Sequence, residues 1–174
     1  MRVQDSHAQN ILTSRVLLAR YLKGFGDANR TKQAPALPNH AAWSLGHLAL
    51  TMYRAGELVG GKAPPAADFV AGERGDAQRF GLEGVAFGSK PVDDPSIYPG
   101  YARCVEIFDG ATESLAAVAR NMSDEKFAST VTWGMAGNVI PVNDLFARMV
   151  FHNGAHCGQI ADLRRALGMG SIFS

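Results

Sequence analysis

Apolar residues recur every three to four positions in four long stretches of the chain, a period that predicts four amphipathic helices. The first, about 5–23, puts Ile11, Leu18 and Leu22 on one stripe with Leu12 and Val16 beside it, and Gly24 is placed to stop it. The second, about 39–59, follows Pro38 and ends at Gly60-Gly61. A third, about 99–121, opens near Pro99. Its stripe repeats through Tyr101, Phe108, Leu115 and Met122, with Cys104, Ala111 and Val118 between them. The fourth, about 142–167, runs Leu145, Met149, His152, His156, Ile160, Leu163 and Leu167 before Gly168. Those intervals of three and four make a bundle seam. The expected fold is all-α: a four-helix bundle in one domain spanning 1–174.

Between the helices the pattern changes. Residues 60–98 have no clear period and are rich in Gly, Pro and Asp. They predict a long irregular crossover between the second and third helices, with a short helical piece inside it and a role in capping a site. Residues 128–142, "ASTVTWGMAGNVIPV", carry β-branched and aromatic residues on both sides of a Gly-containing turn, which predicts a small hairpin before the last helix. The second helix is apolar nearly all round: Trp43, His47, Leu50 and Leu58 on one face, Leu45, Leu48 and Met52 on the other. A bundle core meets only one face. The second face is therefore expected to form a homodimer interface, the alternative being that the 60–98 segment covers it.

Charge adds exclusions. Lys plus Arg number 17 against 16 acidic residues with no basic block, so neither a nucleic acid nor a membrane surface is expected as a partner. The two cysteines, Cys104 and Cys157, form no CxxC and no disulfide framework. Polar residues occupy the N-terminus where a signal peptide has its apolar segment, and no apolar run nears the roughly 20 residues that span a bilayer. A cytoplasmic protein is expected.

The candidate chemistry lies in "FHNGAHCGQI", residues 151–160. His152 and His156 are one helical turn apart, about 6 Å along the axis and on one face. Two imidazoles so placed can converge on one ion, and a third ligand has to come from another helix. His47, in the middle of "WSLGHLAL", is the candidate, flanked by the small Ser44, Gly46 and Ala49. His40 falls near the helix start, at the bundle rim, and His7 reads as an exposed first-turn residue. Histidines on an apolar face are also found as hydrogen-bonded core residues, and that alternative stands beside the metal one. Three imidazoles would leave a coordination position open, the catalytic pattern. Zinc and nickel head the divalent ions that suit such donors, with iron next. Neither ExxH nor HExxH occurs, and Asn153 follows His152 where a protease would have its general base, so peptide hydrolysis is not expected.

Nearby residues have two readings each. Arg148, one turn before His152, could clamp a substrate carboxylate or serve as a surface ion-pair partner. Gln159 could orient a ligand histidine or bond between helices. Arg54, on the His47 face, is a further substrate-binding candidate. Trp43, one turn before His47, reads as pocket wall or core anchor, and Cys157 as a packed free thiol.

"NHAAWSLGHLAL" followed some hundred positions later by "FHNGAHCGQIADLRRALGM" resembles the DinB-like superfamily, and the resemblance spans nearly the whole chain, including "FGSKP" and the Tyr-Pro before the third helix. It implies a four-helix bundle, often dimeric, with a metal on His47, His152 and His156. This sequence departs at Asn153, where many relatives have Glu. The family's characterised branches imply thiol-dependent transferases or isomerases, and others carry the description of metal-dependent hydrolase. A divalent ion lowers the pKa of a thiol or water and makes a nucleophile at neutral pH. The preferred expectation is therefore a metal-dependent enzyme, a thiol transferase or a hydrolase, acting on a small electrophile, with a low-molecular-weight thiol as the possible second substrate. The alternatives are a metal- or haem-binding module and a helical interaction protein.

Overall fold

In the computed structural model, which describes residues 1–134 and 137–172, four long helices follow the predicted pattern. They are α1 (Val3–Leu22), α2 (Ala41–Leu58), α3 (Tyr101–Asn121) and α5 (Val142–Ala166). A short α4 (Asp124–Ala128), absent from the sequence expectation, follows α3; the Ser123 hydroxyl caps it by accepting from Lys126 N–H. Two of the predicted stops lie just past their helices in the left-handed region that favours glycine: Gly24 at φ 89° and Gly168 at φ 68°. Pro99 does not sit inside α3, which begins two residues later behind Gly100.

The helices pack α1 on α3 and α5, and α2 on α3 and α5. Ile11, Leu18, Phe108, Leu115, Leu145 and Ile160 are buried between them, as the stripes require. Val16, placed beside the first stripe, is instead 52% exposed. The expected hairpin forms from β3 (Thr130–Trp133) and β4 (Asn138–Pro141), antiparallel with Val131 opposite Ile140. Residues 135–136 of its predicted turn lie outside the described residues.

Residues 60–98 are irregular but anchored. They contain two parallel two-residue strands, β1 (Phe69–Val70) and β2 (Phe80–Gly81), and a 3₁₀ turn at Pro95–Ile97. This segment lies over α2. Gly46 has no Cβ, and the Phe80 ring fills the space that one would occupy. The Trp43 indole donates to Gly84 O (3.0 Å) and Ser89 Oγ (2.9 Å), and Phe69 stands edge-on to Tyr53. Asp68 fastens the segment to α3 through Arg103 at 2.6 Å. Leu45, Leu48, Leu50 and Met52 are all buried within one chain, Met52 against Thr112 of α3. The second apolar face of α2, expected to meet a second copy, is therefore already buried by this chain's own residues.

Candidate metal centre

Two helices bring three imidazoles to one point. α2 presents His47, and α5 presents His152 and His156 from successive turns. His47 Nε2 lies 3.3 Å from His152 Nε2, which lies 3.2 Å from His156 Nε2. The three ligand atoms all fall within 4.8 Å of one another. An ion bonded tetrahedrally to nitrogens at about 2.0–2.1 Å holds them about 3.3 Å apart. The two measured separations match that edge.

The hydrogen bonds fix how His47 is turned. Its Nδ1 lies 2.9 Å from the carbonyl of Val85, which accepts only, so Nδ1 carries the proton and Nε2 turns its lone pair to the other rings. Trp43 stacks flat on the opposite side of this ring, centroids 4.6 Å apart and planes at 7°. Thr51 Oγ1 donates to the His47 carbonyl at 2.8 Å. His156 is buried, and its Nδ1 has no hydrogen-bond partner. A buried imidazole with one bare nitrogen, 3.2 Å from a second imidazole and within 4.8 Å of a third, makes a poor set of core hydrogen bonds and a suitable set of cation ligands. The donor set fits a divalent ion.

Electrostatics agree with that fit. Burial lowers the His152 pKa to about 4, with His47 adding to the shift. Burial lowers His156 to about 3, helped by His152 and His47 and opposed by the nearby Gln159 amide. His47 is also lowered by burial, against the opposing pull of the Val85 carbonyl, and Arg54 lowers it further. Neutral imidazole is the form that binds metal.

One side of the cluster is open. A cavity of about 630 Å³ is lined by His47 and His152, while His156 sits behind them. Its walls are Leu50, Thr51, Met149 and Phe151 from the helices, Phe87 from the covering segment and Trp133 from the hairpin. Arg54 and Arg148 also face it.

The other predicted residues are distributed as follows. Arg148 lines the cavity and pairs with Asp144 at 2.8 Å, as its ion-pair reading requires. Trp43 does not line the cavity and is not positioned to touch a substrate there; it backs His47 and ties down the covering segment. Gln159 accepts from Asn39 Nδ2 at 3.0 Å, joining α5 to the approach to α2, and its side chain also acts on His156, opposing the fall of that histidine's pKa. Asn153 is buried and donates to Ser14 Oγ of α1 at 2.7 Å, so the residue after His152 serves a helix–helix contact. Cys157 is a half-buried free thiol. His40 is not at an open rim. Fully buried, it caps α2 by accepting from Trp43 N–H at Nδ1, and it donates from Nε2 to Val92 O at 3.1 Å, which leaves no nitrogen for a metal. His7 is half-buried and packs edge-on to Phe127, not exposed as expected. Sequence reasoning missed Val85, whose backbone carbonyl carries no sequence signature, and Phe87 and Trp133, which lie where no helical period marks them.

A bundle with three inward histidines from two helices, one of them supplying an i,i+4 pair, defines a class of candidate metalloprotein. Within that class the chain belongs to the DinB superfamily, whose family model matches residues 11–160. Among solved structures it is similar to YfiT from Bacillus subtilis, described as a probable metal-dependent hydrolase with an unusual four-helix bundle topology. The TM-score is 0.63 at 13% identity, over 98% of this chain and 91% of that one, a likeness of fold. No curated protein matches. Among the described residues no helix is long and apolar enough to cross a membrane.

Proposed function

We propose that this chain is a metal-dependent enzyme acting on a small electrophilic substrate, with His47, His152 and His156 as its ligands and zinc or nickel, then iron, as its ion. The convergence of three imidazoles, with His152 Nε2 3.3 Å from His47 Nε2 and 3.2 Å from His156 Nε2 and all three ligand atoms within 4.8 Å of one another, beside an open cavity carries the proposal. A divalent ion there supplies Lewis acidity, lowering the pKa of a thiol or water so that it becomes a nucleophile at neutral pH. The chain's own contribution is positional. Val85 O and the Trp43 face hold His47 in one tautomer and one orientation. Leu50, Met149, Phe87 and Phe151 give the open cavity apolar walls against which the body of a substrate can rest.

Among the described residues no carboxylate side chain lines the cavity to act as a general base. That supports a nucleophile made acidic by the ion itself, and the reading preferred here is a low-molecular-weight thiol, with water as the alternative. The test is turnover of chlorodinitrobenzene against concentration of added thiol, in metal-loaded and chelator-treated protein. Saturable, thiol-dependent turnover that disappears on chelation is expected. Equal rates with and without metal would refute the proposal, and metal-dependent ester cleavage without thiol would assign hydrolysis instead.

A further inference from the structure

The cavity beside the histidines carries charge that nucleophile activation does not use. Arg54 stands seven residues after His47 on α2, and Arg148 stands one turn before His152 on α5. Both line the cavity. Arg54 makes no ion pair or hydrogen bond among the described residues. Arg148 is held by Asp144 through Nε, with its side chain 52% exposed, and no bond occupies its terminal nitrogens. Most of the remaining wall is apolar: Leu50, Met149 and Phe151, facing Phe87 and Trp133.

Two guanidiniums on apolar walls, one paired with Asp144 and the other, Arg54, without a carboxylate partner among the described residues, leave a net positive charge that sets the sign of the ligand. A neutral molecule filling this space would cover part of the exposed Arg54 and return no acceptor. A carboxylate would accept charge-assisted hydrogen bonds from the guanidinium fork. Cavities of this size take small molecules with a substantial apolar body. We infer that the cavity binds an amphipathic carboxylate, its acid on Arg54 and Arg148 and its apolar body on Leu50, Met149 and Phe151, which leaves its other end toward His47 and His152. This rests on the proposal that the substrate reacts at the histidine site, but the binding preference can be measured apart from it.

Calorimetry with 4-phenylbutyrate and its primary amide is the direct test, run on wild type, Arg54→Gln and Arg148→Gln, before and after chelation, with metal content measured in parallel. The acid should bind wild type at least about tenfold more tightly than the amide, the worth of one charge-assisted hydrogen bond. Each variant should narrow that gap several-fold while metal content stays the same. Equal binding of acid and amide, or no binding of either, would overturn the inference. So would a gap that neither variant changes, or one that vanishes on chelation, since the ion would then be holding the acid. Phenyl phosphate binding more tightly than the carboxylate would overturn the choice of acid group. Protein that takes up no metal yet keeps an arginine-dependent gap would sink the metal reading and leave this one standing; metal retained without a gap would do the reverse.

Discussion

Gly46→Ala should destabilise the protein, although the same exchange in a helix interior is ordinarily favourable. The glycine is one residue before His47, where α2 runs beneath Phe80. A Cβ there would lie 2.7 and 2.8 Å from two ring carbons, about 0.8 Å inside the separation at which carbon atoms attract. Phe80 is 0% exposed, so its ring has no solvent to move into. Overpacking of this kind costs about 1–3 kcal/mol. Relief of glycine's backbone entropy returns about 1 kcal/mol. The net loss is about 1–2 kcal/mol, since a ring held this firmly puts the clash in the upper part of its range. Gly158→Ala is the control. It lies on the exposed face of α5 with nothing within 4 Å of its Cβ, so it should gain up to about 1 kcal/mol. Urea unfolding of chelator-treated protein measures both, and the two variants should differ by about 2–3 kcal/mol. Metal affinity gives a second readout: Phe80 precedes Val85 in the covering segment, so Gly46→Ala should weaken metal binding and Gly158→Ala should not. Two stabilised variants, or two with the same shift, would refute this account of why the covering segment fits α2.

Acid should weaken the fold through His40. Burial lowers its pKa to about 4 against an ordinary value of 6.5, so the unfolded chain takes up a proton that the native state refuses. Its contribution is present above pH 6.5 and is lost as pH falls from there toward 4, at up to about 1.4 kcal/mol per pH unit. His40→Asn keeps an acceptor for Trp43 N–H and should flatten that slope; an unchanged slope in denaturant titrations would contradict the assignment. Asn153→Ala should cost about 1–2 kcal/mol through the lost bond to Ser14, with metal content unaltered. Metal loss in a still-folded Asn153→Ala protein would place that residue at the site after all.

The long helices were legible because Ile11, Leu18, Phe108, Leu115, Leu145 and Ile160 repeat with a period that only a helix turns to one side. His152 and His156 were legible for the same reason, and His47 because a polar residue in the middle of an apolar helix needs a partner. The covering segment was not. Its fit to α2 depends on Phe80 over Gly46 and on Asp68 reaching Arg103, contacts between distant residues that leave no local period. The choice between a second copy and residues 60–98 over α2 was therefore open in sequence. His40 was missed as a cap because imidazole is outside the usual set of capping side chains. The short α4 did have a signal, with Ser123 before Asp124 and Glu125, but five residues are too few to show a period.

The most direct test of the metal site is the metal content of tag-free protein by elemental mass spectrometry, measured beside a His152→Ala variant. The account predicts near-stoichiometric zinc, nickel or iron in the wild type and its loss in a variant that stays folded. Wild-type protein that is folded, carries no metal and takes none up from solution would contradict it and return His47, His152 and His156 to the core.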